Sequence, residues 1–267
     1  MNSKKITIIG GGNLGGAIAQ GLVKSGLIKA ENITVTRRRL PLIENLREMG
    51  INTMSDNEAA VESADIIFLA IKPYQIVDIL RDIKGKLSAD KTLVSVVAGV
   101  GLDVIEKEIG SEIPLFRAMP NTAISLQESM TCISFNPQWS DRKDDVVKLF
   151  DQLGETAVIA EELMSAATVL GSCGIAFALR FIRAAMQGGI EIGFGAEMAQ
   201  LITAQTVKGA AELVKKTKHH PEREIDKVTT PRGITISGLN EMEHKGFSSS
   251  LIQGLVTSFE KVEKEKK

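Results

Sequence analysis

The chain has 267 residues, a formal net charge of −1 and 43% hydrophobic residues, enough for one or two domains to bury a core without disulfide or metal staples. A balance so close to neutral excludes a global field that would draw nucleic acid or an anionic membrane, so charge acts locally. The only two cysteines, Cys132 and Cys173, show neither C-x-x-C nor His-paired ligand spacing. This predicts buried, inert thiols in a reducing compartment, no disulfide and no metal site. The N-terminus lacks the pattern of a cleaved leader, and no apolar stretch of about twenty residues is evident, so a cytoplasmic protein with no membrane span is expected.

Ile6, Ile8 and Ile9 form an apolar, β-branched run that meets glycines at Gly10, Gly12 and Gly15, while Leu14, Ile18 and Leu22 continue at helical spacing. The pattern predicts a strand, a tight turn and a helix, the setting in which G-x-G-x-x-G binds a dinucleotide. Gly10 permits the turn, Gly12 lets a pyrophosphate approach the backbone, and Gly15 lets the helix lie close to the strand. The phosphates would rest on free N–H groups at the helix start, beside Asn13 and Leu14.

Asn32 to Thr36 reads as a second strand ending in Arg37-Arg38-Arg39. The residue about 20 positions beyond the last fingerprint glycine faces the adenine ribose, where an acid selects NAD and arginine accommodates the 2′-phosphate of NADP. Arg37 and Arg38 therefore predict NADPH, with NADH a weaker donor, although the same run also suits a solvated turn.

Pro41 to Met49 reads as a helix stopped by Gly50, Asn52 to Met54 as a short strand and Asn57 to Ser63 as a helix. Asp65 to Ala70 is a nearly continuous apolar strand, as expected where both sheet faces are covered. Ligands bind beyond the carboxyl ends of such strands, which puts Ala70, Ile71, Lys72 and Pro73 along the groove; Lys72 reads equally well as a surface lysine. Lys91 to Val97 is a strand whose following loop, with Ala98 and Gly99, opens at the same end. Pro114 to Ala118 runs into Met119-Pro120-Asn121-Thr122, a turn that places Pro120 and Asn121 beside the nicotinamide. Thr131 to Phe135, the helix Asp141 to Leu153 and the strand Glu155 to Ile159 complete the sheet. The expected class is α/β, with a Rossmann-type, mostly parallel sheet domain over 1–161 and an all-α helical domain over 162–267.

From Glu162 to Leu213 the chain is rich in alanine and methionine and lacks proline. Helical spacing at Phe177, Phe181 and Ala184, and at Met198, Leu201, Ile202 and Gln205, predicts two or three long helices broken at Gly171–Gly174 and around Gly193–Gly195. So much apolar surface on few helices predicts burial against a second subunit, with packing on the sheet domain as the alternative. After Lys218-His-His-Pro221 and a short segment, Glu222 to Lys227, comes Val228-Thr-Thr-Pro-Arg-Gly-Ile-Thr235, a rigid turn opening a helix. Hydroxyls at Thr229, Thr230 and Thr235 and free N–H groups from Arg232 onward suit a carboxylate, and the same threonines suit plain N-caps. His219, His220 and His244 fall outside the cofactor-facing segments and read as surface or turn residues. The last helix, Phe247 to Val262, ends in a Lys/Glu tail expected to fray.

Together these segments resemble the pyrroline-5-carboxylate reductase family over nearly the whole chain. The likeness rests on Gly10-Gly-Gly-Asn-Leu-Gly15, Ile71-Lys72-Pro73, Val96-Val-Ala-Gly99, Arg117-Ala-Met-Pro-Asn-Thr122 and Val228 to Thr235 with Gly246-Phe247. It implies NADPH-dependent reduction of 1-pyrroline-5-carboxylate to L-proline, the last step of proline biosynthesis, by hydride transfer to the C=N carbon. It further implies that Thr230, Gly233 and Ile234 hold the substrate carboxylate through hydroxyl or backbone groups, and that Thr235, the catalytic group, lies near the ring nitrogen. Homodimers through interleaved helical domains, assembled further into decamers, are implied as well.

Three departures stand out. Arg232 replaces a family glycine, Gly171-Ser-Cys-Gly-Ile175 replaces Ser-Gly-Ser-Gly-Pro, and Ala123 replaces a proline. If the missing glycine had positive φ, Arg232 would cost on the order of 1 kcal/mol; alternatively its guanidinium adds a carboxylate contact. The rival readings are another cyclic-imine reductase, a β-hydroxyacid dehydrogenase-like enzyme, or a non-catalytic NADPH-binding regulator with a decayed substrate loop. The dehydrogenase would want a lysine on the first long helix of the second domain, where Ser165 to Gly188 carries only Arg180 and Arg183.

Overall fold

The computed structural model describes residues 1 and 3–265. By contact the chain divides into two units, one formed by Met1–Cys173 with the chain from Phe259 onward, the other by Gly174–Ser258.

The first unit is built on β1 (Ile6–Ile9), β2 (Ile33–Thr36), β3 (Asn52–Met54), β4 (Ile66–Leu69), β5 (Thr92–Ser95), β6 (Leu115–Met119), β7 (Ser129–Phe135) and β8 (Gly154–Val158). They form one sheet in the order β3-β2-β1-β4-β5-β6-β7-β8. β1 to β6 are parallel, β7 runs antiparallel to β6, and β8 is parallel to β7. The run 3-2-1-4-5-6 is the doubly wound dinucleotide-binding order.

The helices of this unit are α1 (Asn13–Lys24), α2 (Glu44–Glu48), α3 (Asn57–Glu62), α4 (Ile76–Ile83), α5 (Leu102–Ile109), α6 (Lys143–Asp151) and α7 (Met164–Ala167). Alternation along β1 sends Ile6 and Ile8 into a core with Ile18 and Leu22 of α1, Phe68 of β4 and Phe150 of α6. Ile9 joins the opposite core with Ile67, Leu69, Leu80 of α4 and Ile105 of α5. Burying each such side chain contributes about 1.5–3 kcal/mol, so both faces of the central strands hold the sheet in place. Phe68 and Phe150 meet edge to face with ring centroids 5.7 Å apart. The polar residue in the β1 run, Thr7, is satisfied by donating to the Ala60 carbonyl at 2.6 Å. Lys91 is 8% exposed and donates to the carbonyls of Val61, Glu62 and Ala64 at 3.2, 2.9 and 2.7 Å, closing the end of α3.

Two crossovers need helices that the sequence pattern did not single out. α4 and α5 supply them, each a short helix with a buried apolar stripe. The expected helix over Pro41 to Met49 is split into a 3-10 turn, Leu40–Ile43, and α2, because Ile43 takes a non-helical backbone (φ −131°, ψ 23°) at their junction.

The second unit holds α8 (Gly174–Glu191), α9 (Ala196–Thr217), α10 (Pro221–Lys227), α11 (Ile234–His244) and most of α12 (Phe247–Glu265). The break expected at Gly171–Gly174 is absent: 161–191 is one helix that passes through a π segment, Thr168–Cys173. A π segment widens the hydrogen-bond ladder by a residue without interrupting it, so the glycines loosen the helix there rather than end it. The break around Gly193–Gly195 is present, between α8 and α9. α8 packs beside α9, and the rings of Phe181 and Phe247 meet edge to face at 6.1 Å.

By length and composition, helix 161–191 is long and apolar enough to cross a membrane, with Arg180 and Arg183 interrupting its apolar run. Leu179 and Phe181 on α8, Leu201 and Ile202 on α9 and Leu251 and Ile252 on α12 are exposed. Cys132 and Cys173 are free thiols, and they are half-buried rather than fully buried as the sequence suggested. Burial pushes the Cys132 thiol up, which keeps it protonated. Helix α12 reaches Glu265; the last two residues of the Lys/Glu tail, for which fraying was expected, lie outside the described residues.

Candidate functional site

The register of the parallel strands aligns Ile9, Thr36, Leu69 and Ser95, so the segments that follow them open on one edge of the sheet. That edge gathers Gly10 to Gly15, Arg37 and Arg38, Ala70 to Pro73, Ala98 and Gly99, with Pro120 and Asn121 following β6. The glycine turn is pinned to β2. Gly10 N–H and Gly11 N–H both donate to the Thr36 carbonyl, at 3.2 and 2.8 Å, and Arg37 Nη1 donates to the Gly11 carbonyl at 2.6 Å.

Each fingerprint glycine has its own reason. Gly10 has φ +107°, and a Cβ there would lie 2.3 Å from the Ala70 carbonyl oxygen. A Cβ on Gly15 would lie 2.1 Å from the Gly10 oxygen, so α1 rests directly on the turn. Gly12 instead faces open space, with nothing within 4 Å of an added Cβ. α1 begins at Gly12 with no side-chain cap and no acid in its first turn. The N–H groups of Asn13, Leu14 and Gly15 therefore form an uncapped positive end beside free volume, which fits a pyrophosphate.

The arginine run is not uniform. Arg37 is half-buried and its guanidinium is engaged by the turn, whereas Arg38 and Arg39 are exposed and without hydrogen-bond or ion-pair partners among the described residues. Two free guanidinium groups and no carboxylate at the end of β2 fit a 2′-phosphate. Lys72 is exposed, and its N–H donates to Gln75 Oε1 at 3.3 Å, opening the turn Pro73–Gln75. Ala98 and Gly99 are exposed and Pro120 is buried.

Sequence reasoning did not anticipate the network beneath this edge. Arg117, 3% exposed on β6, pairs through Nη1 with Glu161 Oε1. The same carboxylate accepts Ser134 Oγ at 2.5 Å and the Leu102 N–H at 3.3 Å, fastening the start of helix 161–191 to β6, β7 and α5. Asn57, read only as a helix start, accepts the Thr36 hydroxyl at 2.7 Å. A lone carboxylate or amide in a helix-start pattern carries no signal of such distant partners.

In the second unit, Thr230, Gly233, Ile234 and Thr235 come together in one tight loop. Gly233 N–H donates to the Thr230 carbonyl at 2.8 Å, and a Cβ on Gly233 would lie 2.6 Å from Thr230 Oγ1. Arg232 sits at φ +60°, the left-handed region expected of the missing glycine. α11 starts at Gly233 without a side-chain cap, and Ile234 is 94% exposed with Thr235 also exposed. The threonines are thus not N-caps of this helix: Thr229 Oγ1 donates to the Asp226 carbonyl instead, at 3.1 Å. Before this loop, Glu224 accepts Lys227 Nζ at 2.7 Å and lies 2.6 Å from His219 Nδ1; the Lys227 ammonium, then His219, holds its carboxyl below the usual carboxylate range.

A doubly wound sheet with an uncapped glycine turn, continued by a helical unit, defines a dinucleotide-binding oxidoreductase of the two-part type. Residues 5–99 match the family described as NADP oxidoreductase, coenzyme F420-dependent, and residues 161–265 match pyrroline-5-carboxylate reductase dimerisation. The chain is 46% identical over 268 residues to pyrroline-5-carboxylate reductase 1 of Dictyostelium discoideum, covering 96% of this chain and about half (49%) of that protein. It is 44% identical to pyrroline-5-carboxylate reductase 2 of the same organism, covering 98% of this chain and 93% of the relative. A crystal structure of Plasmodium falciparum pyrroline carboxylate reductase with NADP bound superposes with a TM-score of 0.91 at 29% identity, covering all of both chains. The chain belongs to the pyrroline-5-carboxylate reductase family.

Proposed function

We propose that the chain reduces 1-pyrroline-5-carboxylate to L-proline with NADPH. The observation that carries the reading is the loop Thr230–Thr235, whose uncapped helix start and exposed Thr235 hydroxyl offer donors to a small acid. Bound NADPH would supply a hydride to the C=N carbon. Gly10 and Gly12 shape the turn and leave room for the pyrophosphate, which Asn13, Leu14 and Gly15 hold on backbone N–H groups, and Arg38 with Arg39 meets the 2′-phosphate while Arg37 braces the turn. Ala70, Ile71, Lys72, Pro73, Ala98, Gly99, Pro120 and Asn121 line the groove. NADH, lacking the phosphate, is the weaker donor.

Thr230, Gly233 and Ile234 hold the substrate carboxylate, and the Thr235 hydroxyl oxygen accepts from the N–H of the protonated ring nitrogen. A cyclic imine is basic enough to arrive protonated, so the reaction asks for no histidine or acid. What the chain supplies is placement, with donor and acceptor carbons roughly 3–3.5 Å apart in a near-attack arrangement. We place the functional boundary at 161/162; the dimerisation match over 161–265 supports that reading. Exposed apolar side chains on α8, α9 and α12 support a homodimer through this region; further assembly into decamers belongs to the same reading on the family resemblance, and a cytoplasmic location on the sequence composition.

NADPH oxidation measured with pyrroline-5-carboxylate, against a panel of 2-oxo acids, hydroxy acids and other cyclic imines, tests the reading. Turnover with the pyrroline acid at the highest kcat/KM is expected. Tight NADPH binding without turnover of that acid would overturn it in favour of a regulator.

A further inference from the structure

Asn121 is committed differently from the other residues on the cofactor edge. Its Oδ1 accepts the Ala123 N–H at 3.0 Å, and its Nδ2 donates to the Gly171 carbonyl at 3.0 Å. Its own N–H donates to Ser129 Oγ, also at 3.0 Å, and that hydroxyl lies 3.3 Å from Thr131 Oγ1. Both ends of the side-chain amide are therefore engaged within the first unit, which fixes its orientation and leaves one Nδ2–H and one Oδ1 lone pair for any further contact.

Gly171 lies in the π segment Thr168–Cys173, which packs on β6 and β7. Hydrogen bonding from i to i+5 leaves a carbonyl poorly aimed along the helix, and an outside donor can take it. The same helix is fastened at its start by Glu161 to Arg117, Ser134 and Leu102. Two fixed points, Glu161 and Gly171, bracket the first turns, so the number of residues between them sets the helix register. Replacing the π turn by an α turn would rotate the following side chains by about 100°, one residue's share of a helical turn.

We propose that Asn121 is a positioning residue: by holding the Gly171 carbonyl it keeps segment 168–173 in its π register, the arrangement that hydride transfer requires. The proposal rests on the reductase reading above. Asn121→Asp keeps the acceptor that meets Ala123 but replaces the donor with a second acceptor facing Gly171, and Asn121→Ala removes both.

The test compares wild type with both variants by NADPH titration, steady-state kinetics with pyrroline-5-carboxylate, and amide hydrogen exchange across 168–173 with NADPH bound. Asn121→Asp is expected to lose kcat on the order of 10- to 100-fold, well beyond its change in NADPH affinity or in KM. Exchange should quicken across 168–173 while β6 and β7 stay protected. The idea is overturned if kcat stays within about twofold of wild type in both variants, or if kcat falls with exchange across 168–173 unchanged. Should wild type itself fail to turn over pyrroline-5-carboxylate, the reductase reading falls, and the exchange comparison still decides whether Asn121 holds the segment.

Discussion

Adding a methyl group at Gly12 and, separately, at Gly15 distinguishes a glycine kept for a ligand from one kept for packing. At Gly15 the new Cβ would stand 2.1 Å from the Gly10 carbonyl oxygen and 3.1 Å from both Ala70 Cβ and Ile8 Cγ2. The oxygen is about 1 Å inside ordinary contact, and it cannot swing aside freely because it accepts the Gly12 N–H at 2.9 Å. α1 must therefore lift off the sheet, at an overpacking cost of about 3 kcal/mol. For a unit of this size that lowers Tm by about 6–12 °C, at about 2–4 °C per kcal/mol. At Gly12 φ is −85°, open to any residue, and nothing lies within 4 Å. Alanine there restricts the unfolded chain, a gain of about 0.4–1 kcal/mol, and its poorer N-capping offsets a similar amount. Gly12→Ala should thus melt with wild type yet bind NADPH about tenfold or more weakly, a loss of about 1.4 kcal/mol, because the methyl fills the space the pyrophosphate needs. Thermal melts without ligand and calorimetric NADPH titrations read the two effects separately. Unimpaired NADPH binding by Gly12→Ala, or an unchanged melt for Gly15→Ala, would refute the assignment.

The arginine run divides in the same way. Arg37→Ala removes the tie to Gly11 and is expected to weaken NADPH and NADH alike, whereas Arg38→Ala with Arg39→Ala should weaken NADPH alone, by about tenfold or more. Fluorescence titration with both nucleotides checks this, and a purely NADPH-selective loss in Arg37→Ala would move the phosphate contact onto Arg37. Arg232→Gly should raise thermal stability by relieving about 1 kcal/mol of left-handed strain while raising KM for pyrroline-5-carboxylate; an unchanged KM would remove the guanidinium from substrate binding. Lys91→Met strips the donor from three carbonyls at the end of α3 and should cost about 2–4 kcal/mol in urea unfolding, with NADPH affinity unchanged. An unaltered urea midpoint would mean that water replaces the ammonium.

Strands β1, β2, β4, β5 and β6 were legible because a buried parallel strand is a short, mostly apolar run bounded by turn residues, a signal carried by neighbours in sequence, whereas the edge strand β3 followed only from the alternation of strand and helix. The two helices α4 and α5 were less so, since eight residues hold barely two turns of periodicity. The π segment was misread as a break, because glycines that loosen a helix and glycines that end one look alike until the flanking anchors are seen.

Local pattern alone determined the glycine turn, the acid-free end of β2 and the threonine loop, since each depends on a few adjacent residues and their backbone; that Arg232 has positive φ, a condition raised by the family's glycine, was decided by the structure. Only the tertiary structure decided that Arg37 serves the turn, that Asn121 reaches Gly171 and that Glu161 gathers Arg117, Ser134 and Leu102. Those partners lie far apart along the chain, and a side chain's hydrogen-bond partner is chosen by which strand and helix ends the fold brings within about 3 Å of it.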